Sequence, residues 1–161
     1  MFRFWSKIKE IIGINRFQYN KPNNNGIMVA IHTAKIGSEL IRLACLMAQV
    51  ARSKLYLIYV IEVPRTLPVE ATLAREFNAA HDILQQSLAI AEEEGCNVTA
   101  IIIQAREAGR AIVEEAERHA CSLILLALVR NSRNYQAQRD LVTFVFAHAS
   151  CRVLCVQDIS T

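Results

Sequence analysis

Leu123-Ile124-Leu125-Leu126-Ala127 is five apolar residues in a row, followed by a turn at Leu128-Val129-Arg130-Asn131. A run so short and so apolar reads as a strand buried on both faces, the kind found in the middle of a parallel sheet. In an open parallel sheet, ligands bind beyond the carboxyl ends of the central strands, where the strand order reverses. The turn after Ala127 is therefore where a small molecule would be held.

Working outward, the same kind of run recurs. Ile27-Met28-Val29-Ala30-Ile31, Leu55 to Ile61, Val98 to Ile103 and Val153-Leu154-Cys155-Val156 read as four further strands. Helical patterns lie between them. One follows Gly37 and Ser38 with Leu40, Leu43, Ala44, Met47 and Val50 on one side. A long one after Pro64 and Pro68 carries Leu73, Phe77, Ala80, Leu84, Leu88 and Ala91, and stops before Gly95, a residue that suits the position past a helix end. A shorter one turns Ile112, Ala116 and Ala120 inward. Residues 141–149 are ambiguous by periodicity, but parallel strands need a crossover, which makes this run a helix. Apolar nearly all round, it should be buried on more than one side. The predicted class is α/β, an open five-stranded parallel sheet sandwiched by helices.

A chain of 161 residues fits one domain able to bury most of its apolar surface. Its 53% apolar and 20% charged content argues against disorder. The net charge is +3, but residues 1–25 hold five basic residues against Glu10, which leaves −1 for the rest. A nearly neutral body disfavours a nucleic-acid surface. No apolar run approaches the ~20 residues of a membrane span. Cys45, Cys96, Cys121, Cys151 and Cys155 are an odd set without a secretory signal, which reads as free thiols in a reducing compartment, hence a cytoplasmic protein. Cys151 and Cys155 on one strand would stand roughly 13 Å apart, too far for a disulfide.

Residues 1–25 divide from the domain at 26–161. Met1, Phe4, Trp5, Ile8, Ile11 and Ile12 fall within an arc of about 120° at about 100° per residue, an amphipathic helix. The asparagine-rich stretch from Asn20 to Gly26 is a linker. Two readings compete for the helix: docking on the protein's own body or a partner, or lying on an anionic membrane surface. In residues 141–149, Phe144 and Phe146 stand about 160° apart, so both cannot face the sheet. Docking of Phe4, Trp5, Ile8, Ile11 and Ile12 over Phe144 and Phe146 would cover the remainder.

From about Gly26 to Gln157 the chain resembles the universal stress protein family. The resemblance rests on Ile27 to Ile31, Leu57 to Ile61, Ala108 to Ala116 (Ala-Gly-Arg-Ala-Ile-Val-Glu-Glu-Ala), Leu123 to Ala127, and Cys151-Arg152-Val153-Leu154-Cys155-Val156, in that order and spacing. It covers about four-fifths of the chain. It implies a Rossmann-like sheet of strand order 3-2-1-4-5 and a homodimer paired through Val153, Leu154, Cys155 and Val156. Members that bind ATP carry an aspartate ending the first strand and the glycine pattern Gly-x2-Gly-x9-Gly, then Ser or Thr, after the fourth. Glycine lets backbone N–H groups approach phosphate without a Cβ in the way. Here the aspartate position is His32, the first two glycine positions are Ala127 and Arg130, and the third falls at Arg139 or Asp140. A further family glycine matches Arg106, and no glycine follows Gly109. The resemblance is thus to members that lack the ATP motif, with no cofactor implied.

His32, Arg106, Ala127 and Arg130 remain the candidate ligand residues, since guanidinium groups suit phosphate or carboxylate; alternatively the arginines fill an empty cleft. Arg133, Arg139 and the run Glu92-Glu93-Glu94 read as solvated, His81 as a packing residue, and His119 as a helix-end residue. His148, Cys151 and Cys155 would have to converge from a helix end and a strand to bind zinc, so no metal is expected. There is no nucleophile elbow, Gly-rich phosphate loop or close carboxylate pair at a strand end, and no enzyme is expected. The leading reading is a non-catalytic module acting through protein contacts, as a homodimer. The alternatives are a nucleotide or anion sensor with a non-standard pocket, and a peripheral membrane or partner-docking protein using residues 1–12.

Overall fold

The computed structural model describes residues 26–31, 37–130 and 132–158; the amphipathic stretch 1–12, the linker and His32 lie outside them. Among the described residues, five strands alternate with four helices: β1 (Gly26–Ile31), α1 (Ser38–Ala51), β2 (Lys54–Glu62), α2 (Ala74–Glu93), β3 (Val98–Ala105), α3 (Ala108–Arg118), β4 (Cys121–Val129), α4 (Tyr135–His148) and β5 (Arg152–Asp158). The strands form one parallel sheet in the order β3-β2-β1-β4-β5, as expected. β1 is wholly buried, which is why its six residues contain no charged side chain. Side chains alternate across the sheet. Met28, Ala30, Tyr56, Ile58, Ile124 and Leu126 join the core under α3 and α4. Ile27, Val29, Ile31, Leu55, Leu57 and Leu125 join the core under α1 and α2.

β4 is longer than its apolar run, because Leu128 and Val129 still pair with Gln157 and Asp158 of β5. The turn therefore begins at Arg130, not at Leu128. α4 likewise starts at Tyr135, a turn and a half before the apolar run. It is not buried all round: Leu141 and Val145 face the core, while Thr143 and Phe146 are exposed. Phe144 turns toward α3, where a Cβ added to Gly109 would meet its ring at 2.8 Å. The small residue at Gly109 sets how closely these two helices approach.

Three helical faces differ from their sequence reading. In α1, Leu40 and Ala44 are buried, but the core side is completed by Ile41, Cys45 and Ala48, while Leu43 and Val50 are exposed. The rotation follows from α2: Arg42 pairs with Glu94 and Glu93, and the Gln49 side-chain amide donates to the Glu94 carbonyl, fixing which flank of α1 meets α2. Glu93 and Glu94 are thus ion-paired rather than merely solvated, and Glu94 holds the Arg42 guanidinium above its ordinary pKa. In α2, Leu73 is the residue before the helix, Phe77 is exposed, and Ser87 takes a buried position, its hydroxyl donating to the Ile83 carbonyl. His81 is exposed, not packed, because it lies beyond the flank that α1 and the sheet cover. α3 ends at Arg118, so Ala120 is not part of it; Ala120 turns the chain into β4 with φ +49°. Gly95 does the same after α2 at φ +65°, a conformation that favours glycine.

Candidate functional site

The crevice lies where the strand order reverses, at the carboxyl ends of β1 and β4. Of the four candidate residues, three are described. Ala127 is half-buried and packs into the α1-side core. Arg130 is exposed just after β4. Arg106, just after β3, is turned the other way. Its guanidinium donates to the carbonyls of Val63 (3.2 Å), Pro64 and Leu67 (2.5 Å), and so clamps the loop that follows β2. The structure therefore does not bring Arg106 and Arg130 together on one ligand.

Three residues that sequence reasoning missed finish this end of the molecule. Gln104 donates to the carbonyls of Val69 (2.7 Å) and Ala71 (3.1 Å), a second clamp on the same loop. Glu62 ends β2, and its carboxylate accepts from the Ala108 N–H at 2.9 Å. That N–H belongs to the first turn of α3, where donors lack helical partners and negative charge is favoured. Gln138 is buried in α4. Its Oε1 accepts from the Val129 N–H at 2.8 Å, and its Nε2 donates to Ser132 Oγ at 3.0 Å. Ser132 Oγ in turn accepts from the Asn134 N–H at 3.2 Å. The turn between β4 and α4 is thus held by its own side chains. The sequence did carry a signal for Gln138: it shares the helical face of Leu141 and Val145, at spacings of three and seven. A polar residue on an apolar face needs a partner nearby.

Arg133 and Arg139 are exposed. His119 caps the end of α3, its Nε2 3.4 Å from the Glu115 carboxylate and its ring against Tyr56 with centroids 4.5 Å apart. His148 stacks on Phe144 at 4.1 Å. The five cysteines are free. Burial pushes the Cys45 thiol up to about 12, with Cys96 beside it adding to the shift, and burial also pushes Cys121 up to about 12. Cys151 and Cys155 are raised as well, by burial. Thiols held protonated are poor nucleophiles and poor metal ligands. Among the described residues, no three His, Cys, Asp or Glu side chains are grouped to hold a metal. No helix among the described residues is long and apolar enough to cross a membrane.

Sheet order and crevice define a doubly wound α/β domain. Among solved structures, the fold is that of the universal stress proteins. Universal stress protein UspA from Lactobacillus plantarum superposes with a TM-score of 0.66 at 21% identity, over 84% of this chain and 99% of that one. The universal stress protein from Archaeoglobus fulgidus, solved in complex with dAMP, gives 0.65 at 17% identity, over 81% and 95%. A universal stress protein family protein from Arabidopsis thaliana with AMP bound gives 0.58 at 18% identity, over 84% and 93%. No protein-family model and no curated protein matches the sequence.

Proposed function

We propose that this chain is a non-catalytic universal-stress-type module, cytoplasmic, which acts through protein contacts as a homodimer and has given up the usual ATP site. The observation that carries this reading is the bonding at the carboxyl end of the sheet. The Val129 N–H, the last backbone donor of β4 and between the motif's first two glycine positions, is taken by Gln138. The Ala108 N–H is taken by Glu62, whose own charge repels a phosphate. Arg106 is spent on three carbonyls. An entering triphosphate would have to displace these hydrogen bonds, each worth about 0.5–1.5 kcal/mol net. Dimerisation through β5 is supported by its place at the sheet edge and by its apolar run Val153 to Val156, since an exposed apolar edge is a hazard unless paired.

Isothermal titration with ATP tests the reading. The expected result is binding weaker than ~1 mM, no more than about 4 kcal/mol. A micromolar site would overturn it. The second reading, a nucleotide or anion sensor, draws on the fold neighbours solved with dAMP and AMP. It requires Arg130 to meet the ligand, so a micromolar affinity lost in Arg130→Ala would establish it.

A further inference from the structure

The two sides of the sheet are unequally covered. α3 and α4 pack on β4, and α4 also on β5. On the other side, α1 packs on β1 and β2, and α2 on β2 and β3. Among the described residues, no helix of that side packs substantially on β4 or β5. Alternation turns Leu123, Leu125 and Ala127 of β4 and Leu154 and Val156 of β5 to this side, with Leu125 paired to Leu154 and Ala127 to Val156. Leu125 is buried under α1, but Leu123 and Val156 are only half-buried and Leu154 is 40% exposed. The wall of this trough is α1. Its Arg42 and Gln49 face α2, so Met47, about 140° and 160° round the helix from them, lies on the opposite flank, toward β4 and β5, with Leu43 and Val50 between that flank and solvent. Leu43 is 37% and Val50 53% exposed. Parallel sheets bury both faces, and among the described residues this side has no third helix.

The chain itself carries the piece that fits. Residues 1–25 end at Gly26, at the amino end of β1, next to the start of β4. α1 runs antiparallel to the strands, so Val50 stands at the same end. Two strand spacings, about 10 Å, separate β1 from β5. A linker of residues 13–25 reaches up to roughly 43 Å, ample for the distance. A helix over residues 4–12 would be about 14 Å long, against about 23 Å for the seven-residue β5. Its stripe of Phe4, Trp5, Ile8, Ile11 and Ile12 is as apolar as the trough. The α4 surface fits less well, since Phe144 is turned against α3 and leaves Phe146 as the exposed aromatic there.

We propose that residues 4–12 form a helix that seats this stripe in the trough between α1 and β5, covering Leu43, Met47, Val50, Leu123, Leu154 and Val156 of the same chain. This completes the helical layer on that side and leaves the hydrogen-bonding edge of β5 free for a second copy. Trp5, the single tryptophan, reports the outcome in the full chain without lipid. The expected wild-type emission is blue-shifted and protected from acrylamide, and unchanged on dilution. Val50→Glu, or Leu43→Glu if that variant fails to fold, should red-shift Trp5 and restore quenching while the circular dichroism of the domain stays native. Phe146→Glu should leave Trp5 unmoved. Emission near that of free tryptophan that shifts only with anionic vesicles would overturn the proposal in favour of a membrane surface. Loss of protection in Phe146→Glu alone would overturn it in favour of α4. Protection that fades on dilution would overturn it in favour of docking on a second copy.

Discussion

The two faces of β4 carry the same kind of residue and meet different surroundings. Ile124 and Leu126 point to the side closed by α3 and α4, and both are buried. Leu123 and Ala127 point to the side of α1 and stay half-buried among the described residues. An unbroken apolar run states that a strand has two covered faces; it does not state by what. The covered side is complete within the domain. The other side asks for a partner, and the proposed helix of residues 4–12 answers that need with a segment of the same chain.

The strongest way to break this comparison is to truncate the two faces in turn. Leu126→Ala should lower stability by about 2–5 kcal/mol, as large-to-small core changes do. In the full chain Leu123→Ala should cost a comparable amount in urea denaturation if residues 4–12 cover its face as proposed. A clearly smaller cost would mean that the face is open and would count against the docked helix. A smaller effect is expected at the contact between α3 and α4. In Gly109→Ala the new Cβ would meet the Phe144 ring at 2.8 Å and its Cβ at 3.3 Å. Overpacking costs about 1–3 kcal/mol, and the better helix propensity of alanine returns up to about 1. A net loss near 1 kcal/mol is expected, relieved when Phe144→Leu is added. A Gly109→Ala variant as stable as wild type would show that α3 and α4 can separate without cost.

The smallest effect compares one buried thiol from each side, Cys45 on the inner face of α1 and Cys121 of β4 under the opposite layer. Both are pushed up to about 12, while an unfolded thiol titrates around 8.5. Above that lower value the folded state keeps protons that the unfolded state releases, so stability falls as pH rises from about 8.5 toward 12 and is unaffected below it. Melting temperature measured between pH 7 and pH 10.5 should be flat first and then decline. Replacing Cys45 and Cys121 by alanine should flatten the decline. A decline of unchanged slope in that double variant would assign it to other groups, Tyr59 among them, whose hydroxyl is also raised by burial.

What could be read from the residues was whatever depends on local pattern. Five short apolar runs, the turn residues between them and the need for crossovers give an α/β sheet, and the order of the runs gives its resemblance. The departures at Ala127, Arg130 and Arg106 are legible for the same reason, since a side chain where a close backbone approach is needed is visible in one dimension. Helix faces were less legible. Leu43 and Phe77 sit on apolar stripes yet are exposed, while Cys45, Ala48 and Ser87 are buried, because the neighbour that a helix meets decides which flank is covered. The crevice was least legible. Arg106 looked like a ligand group and is a loop clamp; Glu62 and Gln138 looked ordinary and satisfy backbone donors. Their partners lie as far as 46 residues away. A hydrogen bond is a fact about two groups in space, and only the tertiary structure brings a carboxylate at the end of β2 to the first turn of α3.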